Sequence, residues 1–174
     1  ADSYRDSFVA TDNFAAGEKC GKALAELMGG TGKAILLRHR VGSASTTKRA
    51  DGFLKGLKEP GPEIELLSSD KYAGATVEES QEAANNLLNQ FADEVDGIFT
   101  PNESATEGMM AEMKDAGIAG KVTFVGFDGN DAILKGEPVD TVVDTGSVIL
   151  TLENLAEPRL QELVDPPLEK WLKE

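Results

Sequence analysis

The hydrophobic positions of this chain follow two rhythms that alternate along nearly its whole length. Short apolar runs bounded by turn residues read as strands. Longer stretches with apolar residues every three or four positions read as helices. The pattern predicts a short strand at 7–11 and a helix at 13–28, entered through Asp12 or Asn13 and closed by Gly29-Gly30. A buried strand follows at 33–38, with Ala34-Ile35-Leu36-Leu37 inside it. A helix at 45–57 ends at the Pro60-Gly61-Pro62 turn, and a strand follows at Glu63–Ser68. The next helix, 76–91, opens with Thr76 and Glu79 at the spacing of a capping box. Strands at 97–100 and 121–127 flank a helix at 104–116. Residues 141–151 are β-branched and strand-like, and 155–164 and 168–173 read as two short helices split by Pro166-Pro167.

Strands separated by helices of this length imply a parallel sheet with right-handed crossovers. One interval breaks the rhythm. Between Phe127 and the strand beginning near Thr141 lie only about 13 residues, Gly129, Gly136 and Pro138 among them. A parallel crossover generally needs a dozen or more residues with a helix, and 131–135 supplies barely one turn. The last strand is therefore expected to join antiparallel, or as an edge. The chain has no internal repeat, low-complexity run or linker, and its 174 residues suffice for one domain with its own core.

The candidate chemistry lies where strands stop. Val125-Gly126-Phe127-Asp128-Gly129 reads as a buried strand ending at a carboxylate flanked by glycines. Ligands of open α/β sheets bind at the carboxyl ends of the strands, so this peptide sets an aromatic ring and a charged acceptor at that edge. A second strand, Asp96-Gly97-Ile98-Phe99-Thr100-Pro101, runs into Asn102-Glu103. Two neighbouring strands delivering Asn102 and Asp128 to one edge suit a ligand rich in hydroxyl groups. The same two residues would also serve simply as turn and helix caps. After the strand at 33–38 the chain passes Gly42-Ser43-Ala44-Ser45-Thr46-Thr47 and enters a helix, whose first N–H groups and hydroxyls either hold polar ligand groups or only cap the helix. Arg49 lies one turn in, within reach of the edge, of Asp51 or of Asp128. His39, the single histidine, ends its strand near the same edge.

Bulk properties narrow the classes. Asp and Glu outnumber Lys and Arg by 31 to 17, a net charge of −14 that opposes phosphate backbones and argues against nucleic-acid binding. No apolar run approaches the roughly 20 residues that span a bilayer. The opening Ala1-Asp2-Ser3-Tyr4-Arg5 has no signal-peptide pattern, as would a mature secreted chain. Cys20 is the only cysteine and lies four residues from both Ala16 and Leu24, on one helical face, which reads as a buried structural thiol. With one His and one Cys, neither a metal cluster nor a nucleophile–base pair is expected, and no turnover or cofactor with it. Gly29-Gly30-Thr31-Gly32-Lys33 looks like a phosphate loop. It fails because Ala34 replaces Ser or Thr and because it runs from helix to strand, and it reads instead as a tight turn. Asn102-Glu103-Ser104 fits a glycosylation sequon, but a helix start explains it better. Glu78, Glu79 and Glu82 read as a solvated helix face.

Taken together, Ala10-Thr11-Asp12-Asn13 with Ala16-Gly17, the stretch from Gly42 to Arg49 with Gly52-Phe53, the stretch from Phe99 to Glu103, and above all Val125-Gly126-Phe127-Asp128-Gly129 resemble the periplasmic sugar-binding proteins of the ribose-binding type, relatives of the sensor domains of lactose-repressor-type regulators. The resemblance covers nearly the whole chain and implies half of a two-lobed, non-enzymatic protein that closes around a sugar. Such proteins hand the sugar to a membrane transporter of the ATP-binding-cassette type or to a chemoreceptor, and they work in the periplasm. By position, Asn102 and Asp128 match two family ligand residues, Phe127 an aromatic beside the site, and Arg49 a recurrent arginine. Tyr72 lies in the loop where the family offers another aromatic. Thr47 stands where ribose binders have an arginine, a departure from the ribose pattern. Relative to the family, about 100 residues of first lobe have no counterpart before Ala1, and the excursion into that lobe is missing near 134–135.

Pattern and resemblance together predict a single flavodoxin-like α/β lobe over 1–174, with a mostly parallel sheet of order 2-1-3-4, an added last strand and helices on both faces. The expected ligand-binding residues are Asn102, Asp128, Phe127, Tyr72, Thr47 and Arg49. The expected partners are a small sugar, a first lobe or a second copy of the chain, and transporter components. Sugar binding is expected to be weak or to need a partner lobe. The alternative is a flavodoxin-like interaction or dimerisation module that binds no small molecule.

Overall fold

The computed structural model describes residues 11–128 and two short backbone segments, Val142–Val143 and Ile149–Leu150. Four helices, α1 (Asn13–Leu27), α2 (Ala44–Lys58), α3 (Val77–Phe91) and α4 (Glu103–Asp115), alternate with strands β1 (Thr31–Leu36), β2 (Glu63–Ser68), β3 (Gly97–Phe99) and β4 (Thr123–Phe127). The described sheet is completed by β5 (Val142–Val143) and β6 (Ile149–Leu150), giving the order β2-β1-β3-β4-β5-β6. The first four strands are all parallel, as expected.

The segment 141–151 departs from expectation. It supplies two short strands instead of one. β5 joins β4 in parallel and β6 returns antiparallel to β5. The β-branched composition of 141–151 did not reveal that the run splits into an antiparallel pair. The expected strand at 7–11, apart from Thr11, and the expected helices at 155–164 and 168–173 lie outside the described residues.

Strand periodicity builds three layers. Alternate residues of a strand point to opposite faces. Ala34, Leu36, Phe99, Val125 and Phe127 face α1 and α2, while Ile35, Leu37, Ile98 and Phe124 face α3 and α4. On the first face the rings of Phe53 and Phe99 stack with centroids 4.2 Å apart, and Cys20 is fully buried beside them. Burial raises the Cys20 pKa well above the ordinary thiol range, which makes it an inert core residue.

Helices α1 and α2 touch backbone to backbone. A Cβ on Gly17 would sit 2.0 Å from the carbonyl oxygen of Arg49, and one on Gly52 would sit 2.1 Å from that of Phe14. Gly21 and Gly56 meet Phe53 and Glu18 in the same way. Glycine pairs four residues apart on both helices thus set the closeness of the crossing.

The ends of the elements follow local chemistry. Thr76 and Glu79 form the expected capping box of α3. The Gly29-Gly30 turn closes α1, with the Gly30 N–H on Ala25 O and the Gly29 N–H on Glu26 O, at a Gly29 φ of 70° that suits glycine. Within the described residues no helix is long and apolar enough to cross a membrane.

Candidate functional site

The carboxyl edge of the sheet is organised around Arg49, in the second turn of α2. Its Nε donates to Oδ1 of Asn13 at 2.8 Å. Its Nη1 donates to the Pro101 carbonyl at 3.0 Å and to Oδ2 of Asp128 at 2.8 Å. Its guanidinium lies over the Phe127 ring, 3.8 Å from the centroid. A guanidinium carries five N–H donors. Three are used here, and the two on Nη2 have no partner among the described residues. The side chain is only 11% exposed, so the start of α1, α2 and the residues that follow β3 and β4 together fix one cation at the strand ends.

Asn102 and Asp128 follow the neighbouring strands β3 and β4, as expected. Asp128 leaves β4 at φ 68°, the only non-glycine residue with positive φ among those described. Its left-handed backbone ends the strand abruptly at the carboxylate. Asn102 occupies the N-cap position of α4 but makes no side-chain cap bond. Its Nδ2 donates to Ser104 Oγ at 2.9 Å, and its Oδ1 is buried without a partner. Buried polar atoms are seldom left unpaired, so capping does not account for Asn102. Beneath it, the Thr106 hydroxyl donates to the Asn102 carbonyl at 2.8 Å and lies 2.8 Å from Thr100 Oγ1. That buried threonine pair pins the start of α4.

Thr47 and Tyr72 meet elsewhere on the same edge. They line a shallow depression with Arg38, His39, Arg40 and Thr46. The chain beyond β1 pairs with the loop after β2: Arg38 bridges to Tyr72, the Ala73 N–H donates to Arg38 O, and the Gly74 N–H donates to His39 O. Tyr72 is 46% exposed, on the rim between this depression and a second one lined by α3 residues. Phe127 is fully buried and reaches the edge only through the guanidinium above it. Arg49 takes Asp128, while Asp51 takes Arg38 at 3.3 Å.

Two features escaped sequence reasoning. Asn13, read as a helix entry and as part of a block shared with the family but not as a site residue, orients Arg49. His39 has a buried, unpartnered Nδ1, and its pKa lies below the ordinary value of 6.5 because of burial first and the charges of Arg40 and Arg49 next. No spacing in the sequence announces either one. Among the described residues no group of His, Cys, Asp and Glu is arranged to hold a metal ion.

The chain is similar to known proteins of one family. The family model described as "Periplasmic binding protein domain" matches residues 1–136. A xylitol-binding protein of Mycolicibacterium smegmatis is 28% identical over 147 residues, covering 82% of this chain and 41% of its own length. The ribose import binding protein of Haemophilus influenzae is 30% identical over 155 residues, covering 84% of this chain and 49% of its own. Among solved structures, a transporter solute-binding protein from Agrobacterium vitis with bound D-fucose superposes with a TM-score of 0.78 at 27% identity, over 94% of this chain and 66% of that one. The chain thus spans less than half the length of the two curated relatives. With the matched family model covering most of its residues and the fold shared with this structure, the chain belongs to the periplasmic binding protein family.

Proposed function

We propose that this chain acts as the second lobe of a sugar-binding protein serving an ATP-binding-cassette uptake system in the periplasm, and that it binds a sugar without transforming it. The observation that carries the reading is Arg49, held at the carboxyl edge by Asn13, Pro101 and Asp128, with both Nη2 donors without a partner among the described residues. Asp128 pairs with it through a carboxylate that is 35% exposed, and Asn102, after the neighbouring strand β3, adds an amide oxygen without a partner among the described residues. Donors and acceptors alternating over a short span suit adjacent hydroxyl groups, each of which gives and takes a hydrogen bond. Thr47 and Tyr72 extend the same face, and Phe127 supports Arg49 from below.

One face of a sugar is all this lobe covers. Val41, 79% exposed, and Tyr72 stand at the same edge, a partly apolar surface suited to being covered by a first lobe or a second copy. Losing half of the contacts costs several kcal/mol, each 1.4 kcal/mol being about tenfold in affinity. Binding by this lobe alone is therefore weak.

The test is a backbone and arginine side-chain NMR titration with D-ribose, xylitol, D-fucose and D-arabinose. At least one should shift Asn102, Asp128 and the Arg49 Nε–H together at sugar concentrations on the order of millimolar. Unmoved resonances across the panel, or shifts confined to the opposite end of the sheet, would overturn the assignment.

A further inference from the structure

We propose that the preferred ligand of this edge is an anionic sugar, one carrying a carboxylate or a phosphate, with the acidic group seated against His39 and Arg40 at the start of α2. The inference rests on the sugar-binding reading above and names the class of sugar.

The charge at this end runs against the charge of the chain. The whole carries −14, yet Arg38, His39, Arg40, Lys48 and Arg49 follow one another with no acidic residue until Asp51. The depression they help to form is lined by Arg38, His39, Arg40, Thr46, Thr47 and Tyr72, without a carboxylate. Nearby acidic side chains are already engaged: Asp51 with Arg38, Asp128 with Arg49, Asp70 with Lys71. Arg40 has no partner among the described residues, and Arg38 holds one further bond to the Ser69 carbonyl at 2.8 Å.

His39 and the open start of α2 meet at the same spot. The buried Nδ1 of His39 lacks a partner. The depressed His39 pKa reports a local positive field from Arg40 and Arg49 in addition to burial. The fifteen-residue helix α2 begins at Ser43 without a side-chain cap bond, so its first N–H groups carry the positive end of the helix without a described acceptor. A neutral sugar closing over this wall would leave the Arg40 guanidinium and the first N–H groups of α2 desolvated and uncompensated. An acidic group would take charge-assisted hydrogen bonds from them. The hydroxyls of the same sugar would remain for Arg49, Asn102 and Asp128.

The chain has one histidine, so its imidazole resonances give a direct readout. The 174-residue chain is titrated at low salt with D-glucuronate against its methyl ester, with D-ribose 5-phosphate against D-ribose, and with inorganic phosphate alone. At least one acid should bind about fivefold or more tightly than its neutral match and should raise the His39 pKa as it binds. Which acid does so identifies the carboxylate or the phosphate. Arg40→Gln, with its fold checked by circular dichroism, should remove that advantage. Neutral sugars binding as tightly as both acids would overturn the inference while leaving sugar binding intact. Inorganic phosphate matching the sugar phosphate would overturn it as well, since the sugar would then add nothing. An advantage that survives Arg40→Gln would refute the seat at α2. Silence from every sugar, charged or neutral, would sink this inference and the function it rests on together.

Discussion

Nη1 of Arg49 donates to Oδ2 of Asp128 across 2.8 Å, tying the second turn of α2 to the end of β4 over 79 residues of chain. The pair is partly buried and is braced by Asn13 and the Pro101 carbonyl. Arg49→Met keeps the packing over Phe127 but strands three acceptors, so it should destabilise the chain by about 2 kcal/mol in urea titration. Asp128→Asn should cost less, because asparagine tolerates the left-handed backbone and the site is 35% exposed. Asp128→Ala should cost about 1 kcal/mol more than Asp128→Asn, since it adds strain at φ 68°. Equal losses for Asn and Ala would show that the backbone at Asp128 carries no strain.

The close crossing of α1 and α2 makes a second prediction. Gly17→Ala and Gly52→Ala each drive a methyl group into the carbonyl of the facing helix. Overpacking of this kind costs roughly 1–3 kcal/mol or more. Gly29→Ala meets nothing within 4 Å and suffers only the strain of φ 70°, about 1 kcal/mol. Thermal melts should therefore rank Gly17→Ala and Gly52→Ala well below Gly29→Ala. Because Gly17 abuts the Arg49 carbonyl itself, Gly17→Ala should also shift the Arg49 Nε–H resonance, a change that Gly29→Ala should not cause.

Much of this fold was legible because its signals are local. Apolar runs and helix-spaced positions located the first four strands and all four described helices to within about two residues, the accuracy that fraying ends permit. The Thr76–Glu79 box and the Gly29-Gly30 turn needed only neighbours three to five residues away. What could not be read was set by tertiary contact. The pairing of β5 and β6 depends on where the sheet has a free edge. The glycine pairs of α1 and α2 matter only because the two helices face each other. At the site, Asn102 and Asp128 were visible as residues following apolar strands, and the pairing of Arg49 with Asp128 was one of two options. Asn13 holding Arg49 and the orphaned Nδ1 of His39 arise from chain segments brought together only by folding.

Helix starts offer a paired comparison. The Thr76 hydroxyl accepts from the Glu79 N–H at 3.2 Å, and Glu79 Oε2 accepts in return from the Thr76 N–H at 3.2 Å. Ser43 makes no such bond at the start of α2. Thr76→Ala should cost about 1 kcal/mol, while Ser43→Ala should change the urea midpoint hardly at all. A Ser43→Ala loss as large as that of Thr76→Ala would mean that the Ser43 side chain caps α2 in solution, and the open helix end at the cationic wall would disappear with it.

The last prediction concerns pH and His39. In the unfolded chain its imidazole titrates near the ordinary 6.5, and in the fold it titrates lower, through burial and the charges of Arg40 and Arg49. As pH falls through 6.5 the unfolded chain takes up its proton first, so folding loses stability until the pH drops below the folded pKa. Among the described residues the other shifted groups act outside this window. Burial raises the Cys20 pKa in the fold, so its effect is a loss of stability as the unfolded thiol ionises above about pH 8. Glu18, Glu78 and Glu79 have pKa values lowered from 4.5, so their contribution is kept above that value and lost in stronger acid. Lys22 and Lys33 have values raised from 10.5, and theirs is lost only in strong base. Between about pH 8 and about pH 5.5, His39 should therefore supply a distinct downward slope in the urea midpoint. His39→Gln removes the titrating group and should flatten that slope, whatever it does to the midpoint at the upper end. Parallel slopes for the two proteins would show that His39 is not held neutral by its surroundings. An anionic sugar at saturation should flatten the slope of the unmutated chain in the same way, because the bound negative charge would restore the imidazole's affinity for its proton.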